Sequence, residues 1–189
     1  MTIAASQTNR MGLLLSADVK PAIIIVTNLG ITLMNQTAAA LATDARTEIV
    51  DALNQSVAET VVTTMLAQNF HWNVTGMAFA PLHALFQDIY EDHFIGQDDL
   101  AERIKALNAH ADGTLAGMLK RSKVDEHSGH ASDKEMIKMM CAAQETLSDT
   151  LAGCAQTAAN HGDTLTEDLC ISRGHKHEKF AWFLRSHLG

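Results

Sequence analysis

Proline is almost missing from this chain, at 2 of 189 residues, and aromatic side chains contribute only 5%. Turn-rich β-sandwiches and barrels draw on both, so an all-β architecture is disfavoured and a mostly helical one expected. Cysteine is scarce too. Cys141, Cys154 and Cys170 are odd in number with no C-x-x-C spacing. They support neither a disulfide framework nor a structural zinc site, and they read as reduced thiols packed between helices in the cytosol. Positive charge is in deficit, with 14 Lys+Arg against 22 Asp+Glu and a formal net charge of −8. Phosphate contact needs clustered cations, so unaided nucleic-acid binding by the folded body is not expected. A membrane span is also wanting. The most apolar tract, residues 21–42, is interrupted by Thr27, Asn28, Thr32, Asn35, Gln36 and Thr37, too polar for a bilayer. Asp18 and Lys20 divide two apolar runs and spoil the order of a secretory signal. No G-x-G-x-x-G, P-loop, H-E-x-x-H or G-x-S-x-G occurs, which removes support for nucleotide, zincin and esterase chemistry.

What is present is a length and a 47% hydrophobic content that suit one domain with a sizeable core. Residues 1–43 show no sustained helical period and are expected to be an N-terminal extension to a domain spanning 44–189. From Asp44 the pattern changes: Ile49, Leu53, Val57, Val61 and Met65 repeat every four residues, with Thr43 and Asp44 as caps, predicting a helix over 44–73. After Thr75-Gly76, Leu82, Leu85, Phe86, Ile89, Leu100, Ile104 and Leu107 predict a second helix over 80–108. Residues 109–132 form a long connection with room for one short helix near 114–121. Ser132 and Glu135 have capping-box spacing ahead of a third long helix over 133–160, which ends before Gly162. Thr164 and Glu167 have the same spacing at the start of a fourth, which carries Leu169, Arg173, Phe180, Phe183 and Leu184. Short, long and short links between four long helices make an all-α, ferritin-like four-helix bundle, its long crossover letting the second and third helices run parallel.

Inside such a bundle a di-iron centre is built on Glu-x-x-His pairs, and no Glu here has a His three residues later. The chain offers instead His71 near the end of the first helix, His83 near the start of the second, and Asp98 with Glu102 at i, i+4 further along it. Fifteen residues of helix turn His83 and Asp98 to within about 60° of each other but separate them by about 22 Å. One chain therefore holds two half-sites, or a partner completes one. Two copies packed about a two-fold axis with antiparallel second helices would set the His pair of one against the carboxylates of the other. Imidazole and carboxylate with open positions suit Fe(II), and zinc would accept the same set. Histidines near helix ends and an exposed Asp/Glu pair also have an ordinary reading as surface groups.

The run His71-Trp72-Asn73-Val74-Thr75-Gly76, then Phe79, Leu82-His83, Phe86, Asp98 and Ala101-Glu102-Arg103, closely resembles the signature of the Dps mini-ferritins, the DNA-binding proteins from starved cells. The likeness extends over roughly 44–187 and takes in Gly113-Thr114, Ser122 to Glu126, His177-Glu178-Lys179 and Trp182-Phe183-Leu184-Arg185. The resemblance implies a cytoplasmic dodecameric shell whose two-fold interfaces oxidise Fe(II) with hydrogen peroxide or dioxygen and whose interior stores the ferric mineral. It implies that His71 and His83 come from one subunit and Asp98 and Glu102 from its neighbour, with Trp72 beside the site. One position departs from the family. An acidic residue usually follows the second His by four positions, where this chain has Gln87, a neutral and weaker oxygen donor; Asp88 at i+5 points about 140° away. Weaker binding of a second iron follows. The family's acidic three-fold pores suggest Asp163, Glu167 and Asp168 as iron-entry candidates, against simple helix-start electrostatics.

The rival function is a nucleoid-binding shell with weak or absent ferroxidase activity. Residues 1–43 offer only Arg10 and Lys20, and a dodecamer built from chains of −8 carries roughly −96. DNA binding is expected to be weak or absent. His127, His130, His161, His175, His177 and His187 are assigned surface or structural roles, and Met136, Met139 and Met140 are assigned to core filling.

Overall fold

The computed structural model describes residues 41–189, and every regular element among them is helical: α1 (Thr43–Asn73), α2 (Phe79–Ala106), α3 (Leu115–Arg121), α4 (Asp133–Asn160) and α5 (Thr164–Ser186). The expected extension, up to residue 40, lies outside the described residues.

Local chemistry sets most of the boundaries. Ser132 and Glu135 form the capping box, the serine hydroxyl accepting from Glu135 N and the glutamate accepting from Ser132 N. α4 stops at His161, where Gly162 takes a left-handed φ of 73° that a side chain would resist. Two expected caps are replaced. Ala42, without a side-chain bond, precedes α1, because Thr43 and Asp44 are already helical. The Thr164/Glu167 box does not form either. Asp163 caps α5 instead, accepting from Thr166 N at 3.2 Å and from the Thr166 hydroxyl at 2.6 Å.

Two apolar clusters fix the direction of each helix. One joins Val62 to Phe70 of α1 with Leu82 to Ile89 of α2, Met136 to Ala143 of α4, and Ala181 and Leu184 of α5. The other joins Ile49 to Val57, Leu100 to Leu107, Leu151 to Ala155, and Cys170. The end of α1 thus meets the start of α2, the start of α4 and the end of α5, so the diagonal pairs, α2 with α4 and α1 with α5, run parallel, and the adjacent pairs α1–α2, α1–α4, α4–α5 and α2–α5 run antiparallel. This is the ferritin-like four-helix bundle with a long crossover carrying a short helix, α3. Fully buried Phe70 and Phe86, with ring centroids 5.7 Å apart, each add about 2–3 kcal/mol of apolar burial at the end that holds the histidines.

Between the clusters lies a polar belt. Thr60 and Thr63 of α1, His93 of α2, Gln144 of α4 and His177 of α5 are all 0% exposed. His177 Nδ1 donates to Gln144 Oε1 at 2.8 Å, and the Gln144 amide lies 3.2 Å from His93 Nε2. Desolvation, with the Arg173 charge second, lowers His93 to about 4, and desolvation followed by the His93 and Arg173 charges lowers His177 as well. Arg173 pairs with Asp92 and lies against Gly96, where a Cβ would come within 2.4 Å of the guanidinium carbon. Gly96 is what admits this cation between α2 and α5.

Candidate metal centre

His71 stands in the last turn of α1 and His83 in the second turn of α2, joined by the tight link 74–78. Each ring nitrogen Nδ1 lies 2.8 Å from the other histidine's backbone carbonyl. A carbonyl only accepts, so both Nδ1 atoms carry the proton and both Nε2 atoms keep a free lone pair. The rings stack with centroids 3.7 Å apart and planes inclined by 21°. Phe79 stacks on His83 at 4.9 Å and Tyr90 meets His71 edge-on at 5.4 Å, so neither imidazole is free to turn. Orientation by a second hydrogen bond is what metal-ligating histidines require.

Asp98 and Glu102 share an exposed face of the unbroken helix α2. Neither is ion-paired among the described residues. The adjacent cation is directed elsewhere: Arg103 reaches Asp163 at 2.7 Å and the Thr166 hydroxyl at 2.8 Å. The continuity of α2 keeps His83 and Asp98 about 22 Å apart in one chain. Among the described residues no three His, Cys, Asp or Glu side chains gather closely enough to hold a metal ion. The chain thus presents two donor pairs at separate heights along the bundle, the histidines where α1 ends and α2 begins and the carboxylates further along α2. Gln87, half-buried one turn after His83, donates from Nε2 to Glu91 Oε1 at 2.7 Å, which leaves its amide oxygen unengaged. Asp88 is exposed.

The pore candidates divide. Asp163 is 0% exposed and held by Arg103 and Thr166, so its carboxylate is occupied as a helix cap and does not line an opening. Asp168 is exposed and Glu167 half-buried. Among the other histidines, His177 is a core residue and His161 pairs with Glu48 at 2.8 Å. His93 was not singled out above, although the signal was available: it continues the stripe Ile89, Gly96, Leu100, Ile104 that buries α2.

The ferritin-like domain family model matches residues 50–189. The DNA protection during starvation protein of Helicobacter pylori strain J99 is 32% identical over 139 residues, 73% of this chain and 96% of that protein. The crystal structure of Dps from Staphylococcus aureus has a TM-score of 0.74 at 33% identity, covering 76% of this chain and 96% of that one. The Vibrio cholerae Dps structure, described as a member of the ferritin-like diiron-carboxylate superfamily, has a TM-score of 0.77 at 28% identity and covers 84% of this chain and all of that one. With the described helices, their directions and the histidine pair, these likenesses establish that the chain belongs to the Dps family of ferritin-like proteins.

Proposed function

We propose that this protein is an iron-storing mini-ferritin that oxidises Fe(II) with hydrogen peroxide or dioxygen at sites shared between two subunits, keeping the ferric product inside a dodecameric shell. The observation that carries the reading is the locked pair His71 and His83, whose Nε2 lone pairs meet no further donor group that would complete a site among the described residues. Asp98 and Glu102 of a two-fold-related copy supply the missing charge when the two α2 helices cross antiparallel. An apolar face at the same end favours a second copy there: Met65 and Trp72 of α1 and Leu115 and Leu119 of α3 are between 45% and 75% exposed.

Iron here is substrate. Two neutral imidazoles select a transition ion over calcium or magnesium, and the two carboxylates offset its charge while leaving positions for an oxidant. Each pair of Fe(II) ions gives two electrons to one hydrogen peroxide, which takes up two protons and leaves as two waters. Removing both reactants together suppresses hydroxyl-radical formation, the protective consequence of the activity. Zinc is the competing occupant of the same donor set. Membership of the Dps family supports storage; the oxidation step rests on the donor geometry. The acidic balance favours this reading over a DNA-bound shell and agrees with a cytoplasmic protein.

The test is the rate of Fe(II) oxidation by the purified assembly, in air and anaerobically with peroxide, beside His83→Ala and Asp98→Ala. Both variants should fall to the buffer rate while remaining assembled. Wild type no faster than buffer would leave a storage cage or a DNA-associated shell as the better reading.

A further inference from the structure

We propose that Cys154 and Cys170 form a peroxide-convertible dithiol, a modification site separate from the iron-binding residues, which closes to a disulfide between α4 and α5. Gly162 in the α4–α5 turn divides the two equally, with Cys154 eight residues before it and Cys170 eight after. Equal helical rise on both arms of an antiparallel hairpin places them at one level. Both are free and belong to the same buried cluster, Cys154 1% and Cys170 0% exposed. Cys141 is set apart from this pair, its sulfur facing Glu145 and the Ala181 carbonyl.

Both thiols are buried, and the approach is from the side of Cys154. Cys154 contributes to the wall of a cleft of about 830 Å³ between α1 and α4, beside Thr150, Gly153 and Thr157. The missing side chain of Gly153 faces open space, with no heavy atom within 4 Å of the place its Cβ would take. Hydrogen peroxide is close to water in size, and threonine hydroxyls can hydrogen-bond it along this route. Cys170 is 0% exposed, and its contact with Cys154 together with burial holds its thiol well above the ordinary value. Cys154 lines that cleft and Cys170 does not, so the first attack falls to Cys154 and the resolving step to Cys170.

The chemistry balances with a hydroperoxide as the sole oxidant. Cys154 sulfur attacks one peroxide oxygen, the O–O bond breaks, and the departing hydroxide takes the thiol proton as water, leaving a sulfenic acid. Cys170 sulfur then attacks the Cys154 sulfur, the S–O bond breaks, and the second hydroxide leaves as water with the Cys170 proton. Two thiols lose two electrons in all, and one peroxide becomes two waters. No metal takes part, so the site consumes peroxide in an iron-free shell and pins the α4–α5 hairpin beside its turn.

The experiment exposes the chelator-treated, assembled protein to hydrogen peroxide, then denatures it, alkylates the remaining thiols and maps the peptides. Two of the three thiols should be lost, with a mass decrease of two hydrogens, a Cys154–Cys170 cross-linked peptide that dithiothreitol reverses, and Cys141 still alkylated. Cys170→Ser should leave a dimedone-reactive oxygen adduct on Cys154, and Cys154→Ser should leave Cys170 alkylatable. Three free thiols after exposure would overturn the proposal, as would oxygen adducts without a cross-link or unchanged oxidation of Cys170 in Cys154→Ser. Should either serine variant fail to assemble, the wild-type peptide map decides by itself.

Discussion

Acidification should weaken the bundle from its middle. His93 and His177 are enclosed by all four long helices and share the Gln144 amide, while Arg173 adds positive charge from the α5 side and Asp92 partly offsets it. In the folded protein His93 titrates at about 4, against 6.5 for the free side chain. Between those values the unfolded chain binds a proton that the folded chain refuses, so folding loses ground as the pH falls. The contribution is complete above about pH 6.5, declines down to about pH 4 and then levels off. Over that interval His93 alone accounts for about 3 kcal/mol at 1.36 kcal/mol per tenfold change in proton concentration. His177, lowered for the same principal reason, acts in the same direction. The assay is urea unfolding at fixed protein concentration from pH 7 to pH 4, comparing wild type with His93→Gln, which keeps an amide beside Gln144 and does not titrate. Carboxylate protonation is common to both proteins and cancels in the comparison. Wild type should lose about 3 kcal/mol more than the variant; equal losses would refute the linkage of the belt to stability.

Gly96→Ala should destabilise, because its Cβ would meet the Arg173 guanidinium and separate it from Asp92. Stranding that largely buried pair costs about 3 kcal/mol and improved helix propensity returns about 1, so urea unfolding should register a net loss of about 2 kcal/mol. Gln87→Glu should tighten binding of the second Fe(II) by about fivefold or more, from the ~1 kcal/mol that even a solvent-exposed charge contributes at 4 Å, read by anaerobic titration calorimetry. Gel-shift titration at physiological salt should find no retained DNA; tight binding that survives moderate salt would show that the chain's negative charge does not govern that surface.

The helices were legible wherever side-chain period and caps act locally. The Ser132–Glu135 box placed the start of α4, and the α2 stripe reappears as its buried face. The α1 stripe holds at Ile49, Leu53 and Val57, but a strict four-residue repeat drifts around a 3.6-residue helix, so Val61 is half-buried and Met65 exposed while Val62 and Leu66 take the core. Caps failed where an alternative one residue away was stronger: the Asp163 carboxylate, held by Arg103, displaces the Thr164 hydroxyl. The identities of the candidate donors were legible too, since the i, i+4 spacing and the rise between His83 and Asp98 follow from helix geometry alone. The locking of the histidines was not, because each contact pairs a ring with the backbone of the other helix. Nor was the polar belt, where Arg173 reaches across to Asp92 and His93 stands in an otherwise apolar stripe.

The central claim, that each oxidation site takes its histidines from one chain and its carboxylates from another, is tested most directly by co-reassembling His83→Ala with Asp98→Ala. In a mixed two-fold pair one site loses both halves and the other keeps both intact, so random mixing of two inactive parents should restore about a quarter of the wild-type Fe(II) oxidation rate. A mixture no more active than its parents would contradict the shared site and require His71, His83, Asp98 and Glu102 to act within one chain or not at all.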